Sequence, residues 1–239
     1  METIKIDREN VRMIAHRGLC GLERENTMAA FIAAGNRSYY GIECDIHKTL
    51  DGQYVVIHDD DTKRVSPFDK IISETTYDEL KQIELYEVKS TVTSPHLRIP
   101  LFSQYLDACK KYEKICFIEF KNAFLEEDII KVMKIIEDKQ YTNKVVFISF
   151  ILDNLITVRK HNKNVRIQFL TTSLDQKILL TLRKYHFGID INTSDLTKSM
   201  VDELHKYHIE INVWTVDNPI EALMLVGWGV DYITTNILE

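Results

Sequence analysis

Short apolar, β-branched runs alternate with stretches whose apolar residues recur at helical spacing, and this alternation restricts the possible folds more than any other feature. The runs are VRMIA from Val11, GIECDI from Gly41, YVVIH from Tyr54, KICFIEF from Lys114 and KVVFISF from Lys144. They continue with VRIQFL from Val165, HFGIDI from His186, IEINVWTV from Ile209 and VDYITT from Val230. Such runs predict strands covered on both faces. The segments from Thr27, Glu126, Leu152, Leu174, Leu196 and Asn218 predict amphipathic helices between them. Strand–helix alternation requires a parallel sheet with right-handed crossovers, either open and doubly wound or closed on itself. About eight strands favour the closed form, a (β/α)8 TIM barrel, as a single domain over residues 1–239.

The polar tract between Asp60 and Pro100 carries three of the four prolines and interrupts the alternation. It predicts a small insertion, about 60–100, over the C-terminal face of the strands, long enough to shape a pocket. Only Asn236–Glu239 follow the last run. The eighth helix is therefore expected to be missing or minimal, with residues 1–10 or a neighbouring chain covering that side.

Composition excludes several function classes. A net charge of −6 gives no broad basic field for nucleic acid. The polar N-terminus METIKIDREN and the absence of a long uncharged apolar run predict neither a secretory leader nor a membrane anchor, so the expected address is the cytoplasm. Cys20, Cys44, Cys109 and Cys116 lack CxxC spacing and read as reduced thiols. Nothing in the sequence indicates the oligomeric state.

Alternation within a strand puts Glu43 and Asp45 on one face and Glu119 and Lys121 on another. Three carboxylates buried together need positive charge, and an all-oxygen set suits a divalent cation, Mg²⁺ or Ca²⁺ with Mn²⁺ as a further choice, rather than Zn²⁺. The competing reading is a set of structural ion pairs. His16 ends the first run and His58 ends the YVVIH run, at the end where barrel active sites gather. Two imidazoles there can share acid/base work, one taking a proton while the other gives one. Arg17 and Lys121 are the local cations for a phosphodiester. Trp214 can cover the apolar side of a small substrate. Asn26-Thr27 reads as a helix cap, and His47, His96, His161, His186, His205 and His208 read as surface or loop residues.

Taken together, these motifs resemble the glycerophosphodiester phosphodiesterase family. HRG at His16, ENTMAAF at Glu25, the ExD of Glu43 and Asp45, VVIHD at Val55, RIPLF at Arg98, IEFK at Ile118, ISF at Ile148, VWTVD at Val213 and GVDYITTN at Gly229 follow the family order. The resemblance implies a metal-dependent hydrolase releasing sn-glycerol 3-phosphate and an alcohol. It implies an ion on Glu43, Asp45 and Glu119, acid and base from His16 and His58, and phosphate contacts from Arg17 and Lys121. Two departures are Arg24, where the family usually has proline, and HDDDTKRVS in place of the commoner form with a threonine pair. The alternatives are a related two-histidine barrel phospholipase, of the lysophospholipase D or phosphatidylinositol type, and a non-catalytic phosphate-binding barrel.

Overall fold

The computed structural model describes residues 2–239. The chain runs through β1 (Arg12–Ala15), α1 (Met28–Gly35), β2 (Gly41–Lys48), β3 (Tyr54–Val56), α2 (Tyr77–Leu80), β4 (Leu85–Tyr86) and β5 (Thr93–Ser94). It continues with α3 (Phe102–Lys111), β6 (Ile115–Phe120), α4 (Glu126–Asp138), β7 (Val145–Ser149), α5 (Leu152–His161), β8 (Arg166–Thr171) and α6 (Gln176–Tyr185). The last elements are β9 (Gly188–Asn192), α7 (Lys198–Lys206), β10 (Ile211–Trp214), α8 (Pro219–Trp228) and β11 (Tyr232–Thr235). Strands β1, β2 and β6 to β11 pair in parallel, and β1 pairs with both β11 and β2, so the sheet closes as an eight-stranded barrel.

Two apolar shells account for the continuous runs. Outward residues such as Met13, Ile42, Ile46, Ile118 and Phe147 pack with the helices, while Ile14, Phe117, Val146, Ile148 and Tyr232 fill the interior. Gly41 makes that filling possible, because a Cβ there would lie 2.6 Å from the Phe117 ring.

The structure corrects the expectation for YVVIH. It is not a parallel strand of the ring; β3 runs antiparallel to β2, with Lys48 opposite Tyr54 and Ile46 opposite Val56. Residues 49–53 suffice for a hairpin, whereas a parallel return needs a crossover of roughly a dozen residues or more. The fold also contains a helix the alternation did not predict, α3, which buries Phe102, Tyr105, Leu106 and Cys109 at i, i+3, i+4 and i+7. The polar tract carries its own apolar cluster of Val65, Ile72, Leu80, Ile83, Leu85, Leu97 and Ile99. After β11 no helix follows among the described residues. Instead the N-terminal segment lies along the chain end, with Ile4 bridged to Leu238 and Ile6 N–H donating to Glu239 O at 2.9 Å.

Candidate active site

Strand β2 turns Glu43, Asp45 and His47 to one side, and β6 adds Glu119 beside Asp45, its register partner. One oxygen from each of Glu43, Asp45 and Glu119 lies within 4.8 Å of the others, and all three residues are buried. Arg17, with φ of 52°, aims its backbone N–H at Glu43 Oε2 at 2.6 Å. Gly18 follows with φ of 75°, and a Cβ there would meet the Ala30 backbone at 2.7 Å. The tight loop out of β1 therefore requires glycine.

Positive charge around the carboxylates is incomplete. Lys121 Nζ donates to Glu119 Oε1 at 2.8 Å and stands 3.4 Å from Asp45 Oδ1, while Arg17 Nε is 3.5 Å from Asp45 Oδ2. Burial opposes ionisation of Asp45, but Lys121 and Arg17 outweigh it and hold the group at about 2. Burial and the Asp45 charge push Glu119 up to about 7, and burial with the Asp45 and Glu119 charges lifts Glu43 well above the carboxylate range. Glu43 Oε1 is buried with no hydrogen-bond partner. An orphaned oxygen and two carboxylates driven toward neutrality fit a hard divalent cation, which would supply the missing charge and contacts.

The two histidines flank this cluster, each engaged through Nδ1. His16 Nδ1 lies 2.8 Å from Asn236 Oδ1. The Asn236 amide donates to Asp217 Oδ2 at 2.6 Å, which fixes its oxygen toward His16, so Nδ1 carries the proton and Nε2 is left as acceptor. Burial and Arg17 lower His16 to about 4. His58 Nδ1 lies 2.6 Å from Asp59 Oδ1; burial, helped by Arg17 and Lys121, lowers this ring too, against the pull of Asp45 and Asp59. His58 reaches the site by the β3 hairpin, with Ile57 N–H donating to Asp45 O at 3.1 Å, rather than from the end of a barrel strand.

Several residues enter that the sequence reading left out. His47 is a correction: it is buried on β2, its Nε2 3.1 Å from His58 O and its Nδ1 3.2 Å from the Asn122 amide. The signal was the i, i+2, i+4 spacing of Glu43, Asp45 and His47. Asn26 is a second correction: Thr27 is the cap of α1, while Asn26 donates to Asp45 Oδ2 at 2.7 Å. Arg17 and Lys121, read as phosphate contacts, both pair with carboxylates, Arg17 Nη1 also meeting Glu25 Oε1 at 2.8 Å. Trp214 stands edge-on to the exposed Phe150, ring centroids 5.7 Å apart, and its Nε1 donates to Asp190 O. All four cysteines are free thiols. No helix among the described residues is long and apolar enough to cross a membrane.

The model of the glycerophosphoryl diester phosphodiesterase family matches residues 16–239. A glycerophosphodiester phosphodiesterase of Bacillus altitudinis is 32% identical over 167 residues, covering 67% of this chain and 66% of that protein. Another, from Caldanaerobacter subterraneus, is 29% identical over 163 residues, covering 66% and 65%. The matches thus span about two thirds of these relatives. Among solved structures, a glycerophosphodiester phosphodiesterase of Parabacteroides distasonis is 27% identical with a TM-score of 0.79, covering 95% of this chain and 93% of that one. An Oleispira antarctica phosphodiesterase, solved in complex with the product sn-glycerol-3-phosphate, is 23% identical with a TM-score of 0.85, covering 94% and 92%. With a family match running from His16 to the last residue and the same barrel in these structures, the chain belongs to the glycerophosphoryl diester phosphodiesterase family.

Proposed function

We propose that this chain, residues 1–239 acting as one catalytic domain, hydrolyses glycerophosphodiesters to sn-glycerol 3-phosphate and an alcohol. Glu43, Asp45 and Glu119 would hold one divalent cation, which when bound neutralises diester charge and polarises its oxygens. Arg17 and Lys121, beside those carboxylates, present positive charge to the phosphate. Neutral His16 accepts at Nε2 the proton of the attacking oxygen, and protonated His58, its charge balanced by Asp59, delivers a proton to the departing alcohol. The observation that carries the reading is the pair of oppositely backed imidazoles beside a carboxylate cluster short of positive charge. The product seen in the Oleispira antarctica structure supports the substrate class. Four free thiols agree with a cytoplasmic setting.

The test measures glycerol 3-phosphate release from glycerophosphocholine and glycerophosphoethanolamine, with EDTA and with Mg²⁺, Ca²⁺ or Mn²⁺ restored, for the parent chain, His16→Ala and Glu43→Ala. Metal-dependent release, lost in both variants, is expected. An inactive parent under every metal would sink the proposal. A second reading, a lysophospholipase D, draws on the exposed Leu125 and Phe150 at the same end of the barrel. Faster cleavage of the acylated counterpart than of glycerophosphocholine would select it.

A further inference from the structure

The insertion touches the site through one side chain that the catalytic scheme leaves unused. Arg64 Nε donates to Asp59 Oδ2 at 2.7 Å, and its two terminal nitrogens reach both oxygens of Glu25, Nη1 to Oε2 at 2.7 Å and Nη2 to Oε1 at 2.8 Å. Asp59 in turn holds His58, and Glu25 holds Arg17. An unbroken line therefore runs from His58 through Asp59, Arg64 and Glu25 to Arg17. Its members come from the β1–α1 loop and from the stretch just after β3, which no local rule brings together.

We infer that Arg64 is a positioning residue that fixes the general acid and the phosphate-facing cation in one frame. Each carboxylate it grips could otherwise rotate, carrying His58 or Arg17 with it. The guanidinium suits the task because its planar fork serves a bidentate partner and a third acceptor together, which a lysine ammonium on the same stem cannot match. The Arg64 side chain is 45% exposed and Glu25 keeps Arg17 as a partner, so Arg64→Ala is expected to lower stability without unfolding the chain. The neighbouring departure from the family pattern has a separate role. Arg24 donates to Tyr86 O and Glu87 O, both at 2.5 Å, and so fastens the far side of the insertion without touching Asp59.

The experiment rests on the reaction proposed above and compares two diesters of glycerol 3-phosphate with saturating metal. One carries choline, a poor leaving group that needs a proton; the other carries 4-nitrophenol, which leaves without one. Arg64→Ala is expected to lose about 100-fold in kcat/KM on the choline diester and about 10-fold or less on the nitrophenyl diester, since general acid catalysis matters only for the first. Calorimetry is expected to show glycerol 3-phosphate bound about 10-fold more weakly, the mark of a displaced Arg17. Arg64→Lys should fall between the parent and Arg64→Ala, and Arg24→Ala should keep the parent's ratio between the two diesters. Equal losses on both diesters, unchanged product affinity, or the same selective loss in Arg24→Ala would overturn the inference. A parent chain that cleaves neither diester would instead overturn the reaction on which it rests.

Discussion

The corners holding His16 and His58 are built from different materials. His16 sits at the seam where β1 meets β11, and a neutral amide stands behind it: Asn236, itself held by Asp217 through a side-chain and a backbone hydrogen bond. His58 follows the β3 hairpin, and a carboxylate stands behind it, gripped by an arginine of the insertion. An amide oxygen favours the imidazolium weakly, whereas a carboxylate favours it more strongly. In the proposed scheme the regular wall of the barrel would hold the base and the irregular stretch after β3 the acid, with Asp59 offsetting part of the burial that lowers His58.

The largest effects should come from deleting each ring. His16→Ala is expected to lose about 1000-fold in kcat/KM on both the choline and the nitrophenyl diester, and His58→Ala as much on the choline diester but far less on the nitrophenyl one. Steady-state rates on the two substrates measure this, and the opposite selectivity would exchange the roles of the two corners.

Making the corners alike is the next test. Asn236→Asp, combined with Asp217→Asn so that an amide donor still faces the new carboxylate, puts a charge behind His16, raising its pKa from about 4 toward the ordinary range, so the ring stays protonated to higher pH and the base is depleted in acid. Relative to the parent, activity at about pH 5.5 should fall roughly tenfold while activity at about pH 8 changes much less, because one pKa unit is a tenfold change in the neutral fraction. A pH–rate profile reads this directly, and superimposable acid limbs would show that the group behind His16 does not govern its protonation.

A smaller effect concerns the charge that joins the corners. Burial disfavours ionised Glu25, but hydrogen bonds and charge from Arg64 and Arg17 outweigh it and bring the carboxyl from 4.5 down to about 2. A depressed folded value means stability that is present above about pH 4.5 and disappears as pH falls through about 2. Glu25→Gln should therefore cost on the order of 1–3 kcal/mol near neutrality, with the gap to the parent closing in acid. Denaturant midpoints at several pH values test this, and a gap independent of pH would assign the loss to packing.

The smallest expected effect is at His47, which supports the His58 corner through His58 O. His47→Ala should reduce kcat/KM on the choline diester by about 3- to 10-fold, the consequence of one lost positioning hydrogen bond of about 1 kcal/mol. A matching loss at the His16 corner, read as an altered acid limb, would contradict the separation of the two.

Much of the site was legible because alternation along a strand is a local rule. Glu43 and Asp45 had to share a face, and the same rule carried on two residues reaches His47, which was expected to be a surface or loop residue. The helix α3 was equally legible in its i, i+3, i+4 and i+7 apolar positions but went unassigned because it follows directly on the polar tract. The YVVIH run misled for a physical reason. A buried hairpin strand and a buried parallel strand have the same composition, and only the length of the connection tells them apart.

The sequence by itself determined the strand–helix order, the barrel that follows from it, and the inward row of acids. These depend on periodicity and on the cost of burying charge, both readable from neighbours in the chain. Only the tertiary structure decided that Asn236 backs His16 from 220 residues away, that Asp59 and Glu25 share Arg64, and that Asn26 serves Asp45 rather than a helix end. Those pairings depend on barrel closure and on the path of the insertion, and a hydrogen bond between distant residues leaves no period in the sequence to read.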